Sequence, residues 1–437
     1  MPHDVSLIAT IAAGLGLALI LGLAATRLRL PPLVGYLLAG VVIGPATPGF
    51  VADVSLAGQL AEIGVMLMMF GVGLHFSFED LLAVRRIAIP GALVQIGAAT
   101  ALGAGAGLLW GWTPGESLVF GLALSVASTV VLLRALEDRG VLNSINGRIA
   151  VGWLVVEDLV VVLVLVLLPA LAPLMGGTTD GAGHGTTSGP LWLTLAATLG
   201  KVGLFIALML VAGRRLLPSF LWRVARTGSR ELFTLAVISA AVGVAYAAAR
   251  LFTVSFALGA FFAGMMMRES PLSHRAADES LPLRDAFSVL FFVSVGMLLD
   301  PAILVQEPLR VAAVVAIIVI GKTLAALGIV LLFRYPLTTA LTVGASLAQI
   351  GEFSFILAAL GRSLGLLPVE GQSLILAGAL VSISLNSFLF AAVEPAQRWI
   401  RARSSLARSL ERSDDPLAEL PATVDPAVLA GHVVLVG

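Results

Sequence analysis

The sequence predicts an all-α polytopic membrane protein of about thirteen transmembrane helices, arranged as two inverted-topology repeats with broken helices near the membrane centre. Three observations predict it. Of 437 residues, 59% are hydrophobic and 12% charged, and the mean hydropathy of +1.03 lies far above that of a soluble domain. The charges cluster between apolar runs long enough to cross about 30 Å of hydrocarbon, where only helices close their own backbone hydrogen bonds. Two segments also recur about half a chain later at nearly one offset. Cysteine is absent, which excludes disulfides, thiolate metal sites and cysteine nucleophiles.

The apolar runs occupy residues 5–26, 32–43, 56–74, 87–110, 115–133, 149–168, 191–212, 231–249, 252–267, 284–299, 309–333, 337–360 and 370–393. The first is too long for a signal peptide and lacks a basic segment before it and a small-residue cleavage motif after it. With the N-terminus outside and the C-terminus cytoplasmic, 21 of the 26 basic residues fall in cytoplasmic connections or the tail, and Arg250, Arg310 and Arg362 fall outside. The long outer loop 172–190 holds no Lys or Arg. This is the pattern of a bacterial inner-membrane protein whose surroundings are the lipid bilayer; no nucleic-acid partner is expected.

Transporters often consist of two halves of opposite topology whose interface holds the substrate. Leu37-Leu38-Ala39-Gly40 on the second span returns 224 residues later as Phe261-Phe262-Ala263-Gly264 on the ninth. The run LMMFGVGL from Leu67 to Leu74 returns as LFFVSVGM from Leu290 to Met297, at an offset of 223. Both pairs lie seven spans apart, an odd number, so the partners cross the membrane in opposite directions. At the same offset Ser128 and Thr129 on the fifth span correspond to Gly351 and Glu352 on the twelfth. The stretches SVAST (Ser125 to Thr129) and ASLAQIGEF (Ala345 to Phe353) put small and hydrogen-bonding residues at mid-membrane, including Ser125 and Gln349. Such composition suits helices that break there and aim freed backbone groups at an ion; close packing through small residues is the plainer alternative.

An ionisable residue near the bilayer centre costs about 2.5 to 3.5 kcal/mol on insertion scales, so each needs a partner or a wet cavity. Glu62, Glu157, Asp158, Lys201, Lys322 and Glu352 qualify. Glu157 and Asp158 are adjacent in the middle of VGWLVVEDLVVVLVLVLL, the strongest signal in the chain. Adjacent side chains on a helix point about 100° apart, so one lines a cavity while the other pairs sideways. Carboxylate oxygens are hard ligands for sodium or potassium, and protons compete for them when they leave water. A site at Asp158 and Glu157 that holds either a monovalent cation or a proton performs exchange. Lys322 is the natural counter-charge for one of the acids, as a static partner or a proton carrier. Glu352 is placed to accept bonds from freed amides or to pair with a basic residue. Lys201 is placed to snorkel or to meet headgroups at a dimer interface, and Glu62 to cap polar groups within its span. The histidines, His75 included, show no metal-binding spacing.

Taken together, VGYLLAGVVIGP (Val34 to Pro45), GVGLHFSFEDL (Gly71 to Leu81), LALSVASTVVLLRALEDRG (Leu122 to Gly140), VEDL (Val156 to Leu159), FALGAFFAGMMMRES (Phe256 to Ser270), FFVSVGMLLDP (Phe291 to Pro301) and QIGEFSF (Gln349 to Phe355) resemble the Kef-type potassium:proton antiporters of the sodium:proton exchanger superfamily, over essentially the whole chain. The resemblance implies a core domain with crossed, broken fifth and twelfth helices, an ion site at the sixth-span acids, and a dimerisation domain that makes a homodimer. It assigns Asp158 as the essential carboxylate, Lys322 as the ion-pair lysine, and Ser128 and Thr129 to the first crossover. Many relatives have Gln-Asp or Asp-Asp where this chain has Glu157-Asp158. A second acid beside Lys322 looks like the electrogenic arrangement.

The expected domains are an exchanger at 1–393, a basic amphipathic stretch at 394–412 that suits the inner leaflet, a linker at 413–431, and at 432–437 the first strand of a Rossmann-type regulatory domain. HVVLVG ends before a GxGxxG can be completed, so truncation is expected, with no cofactor in this chain and any nucleotide bound by the missing domain. The competing reading is a cation channel: Thr342-Val343-Gly344 superficially matches a potassium filter but lacks the following Tyr-Gly. An organic-anion transporter would want basic residues in place of the two acids, and an enzyme would need a grouped nucleophile and base.

Overall fold

The computed structural model describes residues 6–48, 50–75, 78–137, 139–142, 144–177, 191–252, 254–268 and 270–403. The linker and strand expected at 413–437 lie outside them, as does 404–412 of the basic stretch. The described elements are all helical: α1 (Ser6–Arg27), α2 (Pro32–Ile43), α3 (Val54–His75), α4 (Phe78–Leu109), α5 (Pro114–Ser125), α6 (Thr129–Glu137), α7 (Ile145–Leu171), α8 (Leu191–Leu208), α9 (Arg214–Ala225), α10 (Arg230–Phe252), α11 (Phe256–Arg268), α12 (Ser273–Met297), α13 (Ile303–Gln306), α14 (Pro308–Ala316), α15 (Lys322–Leu332), α16 (Leu337–Leu347), α17 (Glu352–Ser363) and α18 (Val369–Arg403).

Ten stretches among the described residues are long and apolar enough to cross a membrane, and α16 with α17, bent by 43° at their break, makes an eleventh. The remaining two expected spans are α2 and α11, apolar helices of 12 and 13 residues. At 1.5 Å per residue they reach only roughly 18–20 Å, so the count of thirteen rests on counting both as spans.

Two bundles form. α1, α2, α3, α10, α11 and α12 pack together, while α4 to α7 pack with α14 to α18. Large apolar side chains such as Leu19, Ile20 and Leu23 on α1 and Leu324 and Leu332 on α15 face outward, as lipid contact requires.

The repeat is visible in the glycine contacts. Gly40 of α2 lies against the backbone of Val293 and Gly296 on α12, and Gly296 lies against Leu37 and Gly40. Gly264 of α11 lies against Phe70 and Leu74 on α3, and Gly73 lies against Phe261 and Gly264. Adding 224 to Leu37 and Gly40, and 223 to Phe70 and Gly73, converts one crossing into the other. A β-carbon at any of these glycines would collide with a backbone carbonyl, so the sequence match encodes a contact made twice.

Local signals place the ends around the site. Thr113 and Glu116 form a capping box at the start of α5, with Pro114 in the first turn. Ser144 caps α7 by accepting from the Gly147 amide. A π-turn at Ile317–Gly321 joins α14 to α15 and delivers Lys322 at its end, a distortion common at functional sites.

Candidate functional site

Helix α5 stops at Ser125 and α6 starts at Thr129; α16 stops at Leu347 and α17 starts at Glu352. The two breaks meet at Ser128 and Gly351, the pseudo-equivalent pair, and a β-carbon on Gly351 would overlap the Ser128 side chain. Only glycine permits this approach.

Breaking a helix in hydrocarbon frees backbone groups that must be re-bonded. In the first break, Gln95 Nε2 donates to the Ser125 carbonyl (3.0 Å), the Ala127 amide donates to Glu157 Oε2 (2.9 Å), and the Ser128 amide donates to Gln349 Oε1 (3.0 Å). Gln349 Nε2 returns a bond to the Ser128 carbonyl (3.1 Å). In the second break, Asn386 Nδ2 donates to the Ala345 carbonyl (2.8 Å) and Lys322 Nζ to the Gln349 carbonyl (3.0 Å). Ser128 Oγ donates to Glu352 Oε2 (3.0 Å), tying the two breaks together. All of these side chains are buried.

The expected site residues are therefore brought together with different partners. Thr129 Oγ1 donates to Asp158 Oδ2 at 3.1 Å, so Thr129 sits at the acid while Ser128 serves the crossing. Ser125 turns its hydroxyl onto the Leu122 carbonyl (2.8 Å). Lys322 lies where its charge acts on Glu157, as a counter-charge would, and it takes a backbone partner as well. Among the described residues no N···O distance of 4.0 Å or less joins it to Glu157 or Asp158; its ammonium bonds Gln349 and interacts electrostatically with Glu157. Glu352 accepts from Ser128 Oγ and from the backbone amides of Thr129 and Glu352, freed-amide partners of the kind expected, rather than pairing with a basic residue. Glu62 on α3 and Lys201 on α8 are exposed. Gln95 and Asn386 were not anticipated. The available signal was a lone amide within an apolar span.

Both acids are fully or nearly withdrawn from the surface, Glu157 at 0% and Asp158 at 5% exposure. Glu157 accepts from the Ala127 amide on Oε2 and has the Trp153 indole N–H as a donor beside the same carboxylate, while Asp158 Oδ1 has no hydrogen-bond partner among the described residues. They open on different cavities. Asp158 lines one at the junction of the bundles, with Val72 of α3, Phe261 of α11 and Phe353 of α17. Glu157 lines one within a single bundle, with Ile96 of α4, Leu122 of α5 and Leu357 of α17. No group of three or more His, Cys, Asp or Glu suited to a multivalent metal occurs among the described residues.

Residues 15–393 match the family model of the sodium/hydrogen exchanger transmembrane domain. The chain belongs to the sodium/hydrogen exchanger family. Among its relatives, the cation/proton antiporter YbaL of Escherichia coli is 57% identical over 438 residues, covering 100% of this chain and 76% of that protein. K(+) efflux antiporter 4 of Arabidopsis thaliana is 34% identical, covering 82% of this chain and 59% of the relative. The K(+) efflux antiporter KefB of Alkalimonas amylolytica is 31% identical, covering 94% and 59%. The solved structure of a sodium proton antiporter from Methanocaldococcus jannaschii superimposes with a TM-score of 0.63 over 90% of this chain and 98% of that chain, at 14% identity, and so shares the fold. The chain is thus a multi-pass cation:proton exchanger with Kef-type relatives. The channel alternative is not favoured: Thr342-Val343-Gly344 lies buried inside α16 and presents no ring of free carbonyls.

Proposed function

We propose that the chain exchanges a monovalent cation, potassium in preference to sodium, for protons across the bacterial inner membrane by alternating access, with cation and proton competing for buried carboxylates. The observation that carries this reading is Asp158: a buried carboxylate with one oxygen held by Thr129, the other unpartnered, lining a cavity between two helix bundles. A carboxylate withdrawn from water needs either a proton or a cation on its oxygens. Movement of one bundle against the other transfers that choice between the two sides. Potassium is favoured because relatives from both a plant and a bacterium are named as K(+) efflux antiporters. The proposed orientation keeps the N-terminus outside and the C-terminus in the cytoplasm, as the distribution of basic residues supports. The outward apolar face of α1 suits lipid or a second copy in a homodimer.

In proteoliposomes carrying an internal pH dye, external lithium, sodium, potassium and rubidium are expected each to be scored by the proton flux they drive. Potassium and rubidium should drive flux at concentrations where lithium does not. Flux indifferent to the cation would reject exchange, and a sodium optimum would reject the preference.

A further inference from the structure

We propose that the exposed arc of α9 binds an anionic phospholipid of the inner leaflet, in the orientation proposed above. α8 runs for 18 residues from Leu191, the π-turn Met209–Gly213 adds five, and α9 follows within the same membrane-crossing stretch. At 1.5 Å per residue the first two cover roughly 34 Å, about the depth of the hydrocarbon. α9 therefore emerges at the level of the headgroups.

Its charge is one-sided. Between 214 and 230 stand five arginines and no acid. Arg230 is engaged, bonding Glu279 at 2.9 Å. Arg215, Arg223 and Arg226 are exposed, and among the described residues no carboxylate lies within 4.0 Å of them. At about 100° per residue the three share an arc of about 80°, which Trp222 borders on one edge and Leu216 and Phe220 on the other. These three apolar side chains are exposed as well, while Leu221 behind them is buried and the helix packs on α10 and α11. The Arg226 guanidinium lies over the Trp222 ring, 4.7 Å from its centroid, which holds it on the arc.

The chemistry of the arc selects a lipid of net negative charge. Guanidinium groups make paired hydrogen bonds to phosphate oxygens. An anionic headgroup balances the three cations, whereas a zwitterionic one brings its own ammonium to a surface that holds no acid. Basic clusters just inside a membrane span attract anionic lipids in this way, and Trp favours the depth where hydrocarbon meets water. The acyl chain also has a track. Leu204, Leu208 and Val211 are exposed at spacings of four and three, on one face of the stretch that leads to Leu216. A soluble anion has no use for that apolar run.

The purified chain, stripped of lipid in detergent, is titrated with phosphatidylglycerol or phosphatidylcholine, and bound lipid is counted by native mass spectrometry. The wild type is expected to retain phosphatidylglycerol in preference. The triple variant Arg215→Gln, Arg223→Gln, Arg226→Gln should bind phosphatidylglycerol at least about tenfold more weakly. A matched variant, Arg27→Gln, Arg85→Gln, Arg86→Gln, removes the same charge from exposed arginines elsewhere on the cytoplasmic side and should bind as wild type does. Equal losses in both variants would mean diffuse attraction to a basic surface and would overturn the site. Displacement of the lipid by inorganic phosphate would assign the arc to a soluble anion. A triple variant that binds lipid normally but no longer associates would assign it to a second copy, and either result also overturns the proposal.

Discussion

Asp158→Asn is expected to reduce cation-dependent proton flux in proteoliposomes to the level of protein-free liposomes, with the protein still folded. The substitution preserves shape, and the Asn carbonyl oxygen still accepts from Thr129 Oγ1, the one hydrogen bond the carboxylate makes. What it removes is the negative charge and the titratable oxygen that faces the cavity between the bundles. An amide neither takes up a proton at neutral pH nor balances a cation's charge, so both halves of the exchange fail at once. Flux equal to wild type in a monodisperse preparation would reject Asp158 as the exchange site.

Lys322→Ala is expected to abolish voltage generation and to lower the melting temperature. The ammonium has two tasks that the geometry separates. It bonds the Gln349 carbonyl in the second helix break, and its charge offsets Glu157 across the crossing. Removing it leaves a buried carbonyl unsatisfied, a cost of about 1–3 kcal/mol, and leaves Glu157 without its cation. Flux followed with a voltage-sensitive dye and unfolding followed by tryptophan fluorescence check the two parts. Voltage generation unchanged from wild type would remove Lys322 from the coupling.

Much of this was legible in the sequence because the bilayer imposes a simple rule on composition. The second expected span, 32–43, coincides with α2 at both ends, since Pro32 opens that helix and Gly44 follows it. Elsewhere hydropathy marked the part of each helix in hydrocarbon and missed its polar continuation. α12 begins at Ser273, 11 residues before the expected 284, through SHRAADESLPL, and α4 begins at Phe78 rather than at 87. α18 runs on to Arg403 without a break at 393, where an amphipathic stretch was expected to begin. Hydrogen bonding continues a helix into water where hydropathy has already fallen.

The candidate site divides in the same way. Glu157, Asp158 and the polar interruptions stood out because each is improbable in an apolar run. Their partners did not, because partner choice depends on where the breaks meet. Gln349 looked like a supporting polar residue; in the fold it bonds the backbone of Ser128 in both directions. Lys322 was expected as the counter-charge of one acid; its charge acts on Glu157, and its hydrogen bond goes to a carbonyl freed by the α16–α17 break. Gln95 and Asn386 are neutral, so a search for charge passes over them, yet each bonds a carbonyl that the breaks expose. Backbone satisfaction, invisible in composition, decides where these side chains go.

Exchange at this site reduces to one event, the displacement of a proton from Asp158 by an arriving cation. Purified protein in weakly buffered detergent solution, given a pulse of potassium and followed with a pH indicator, reads that event directly. The prediction is acidification that saturates with potassium and is absent in Asp158→Asn. Saturable potassium binding with no proton released would contradict it.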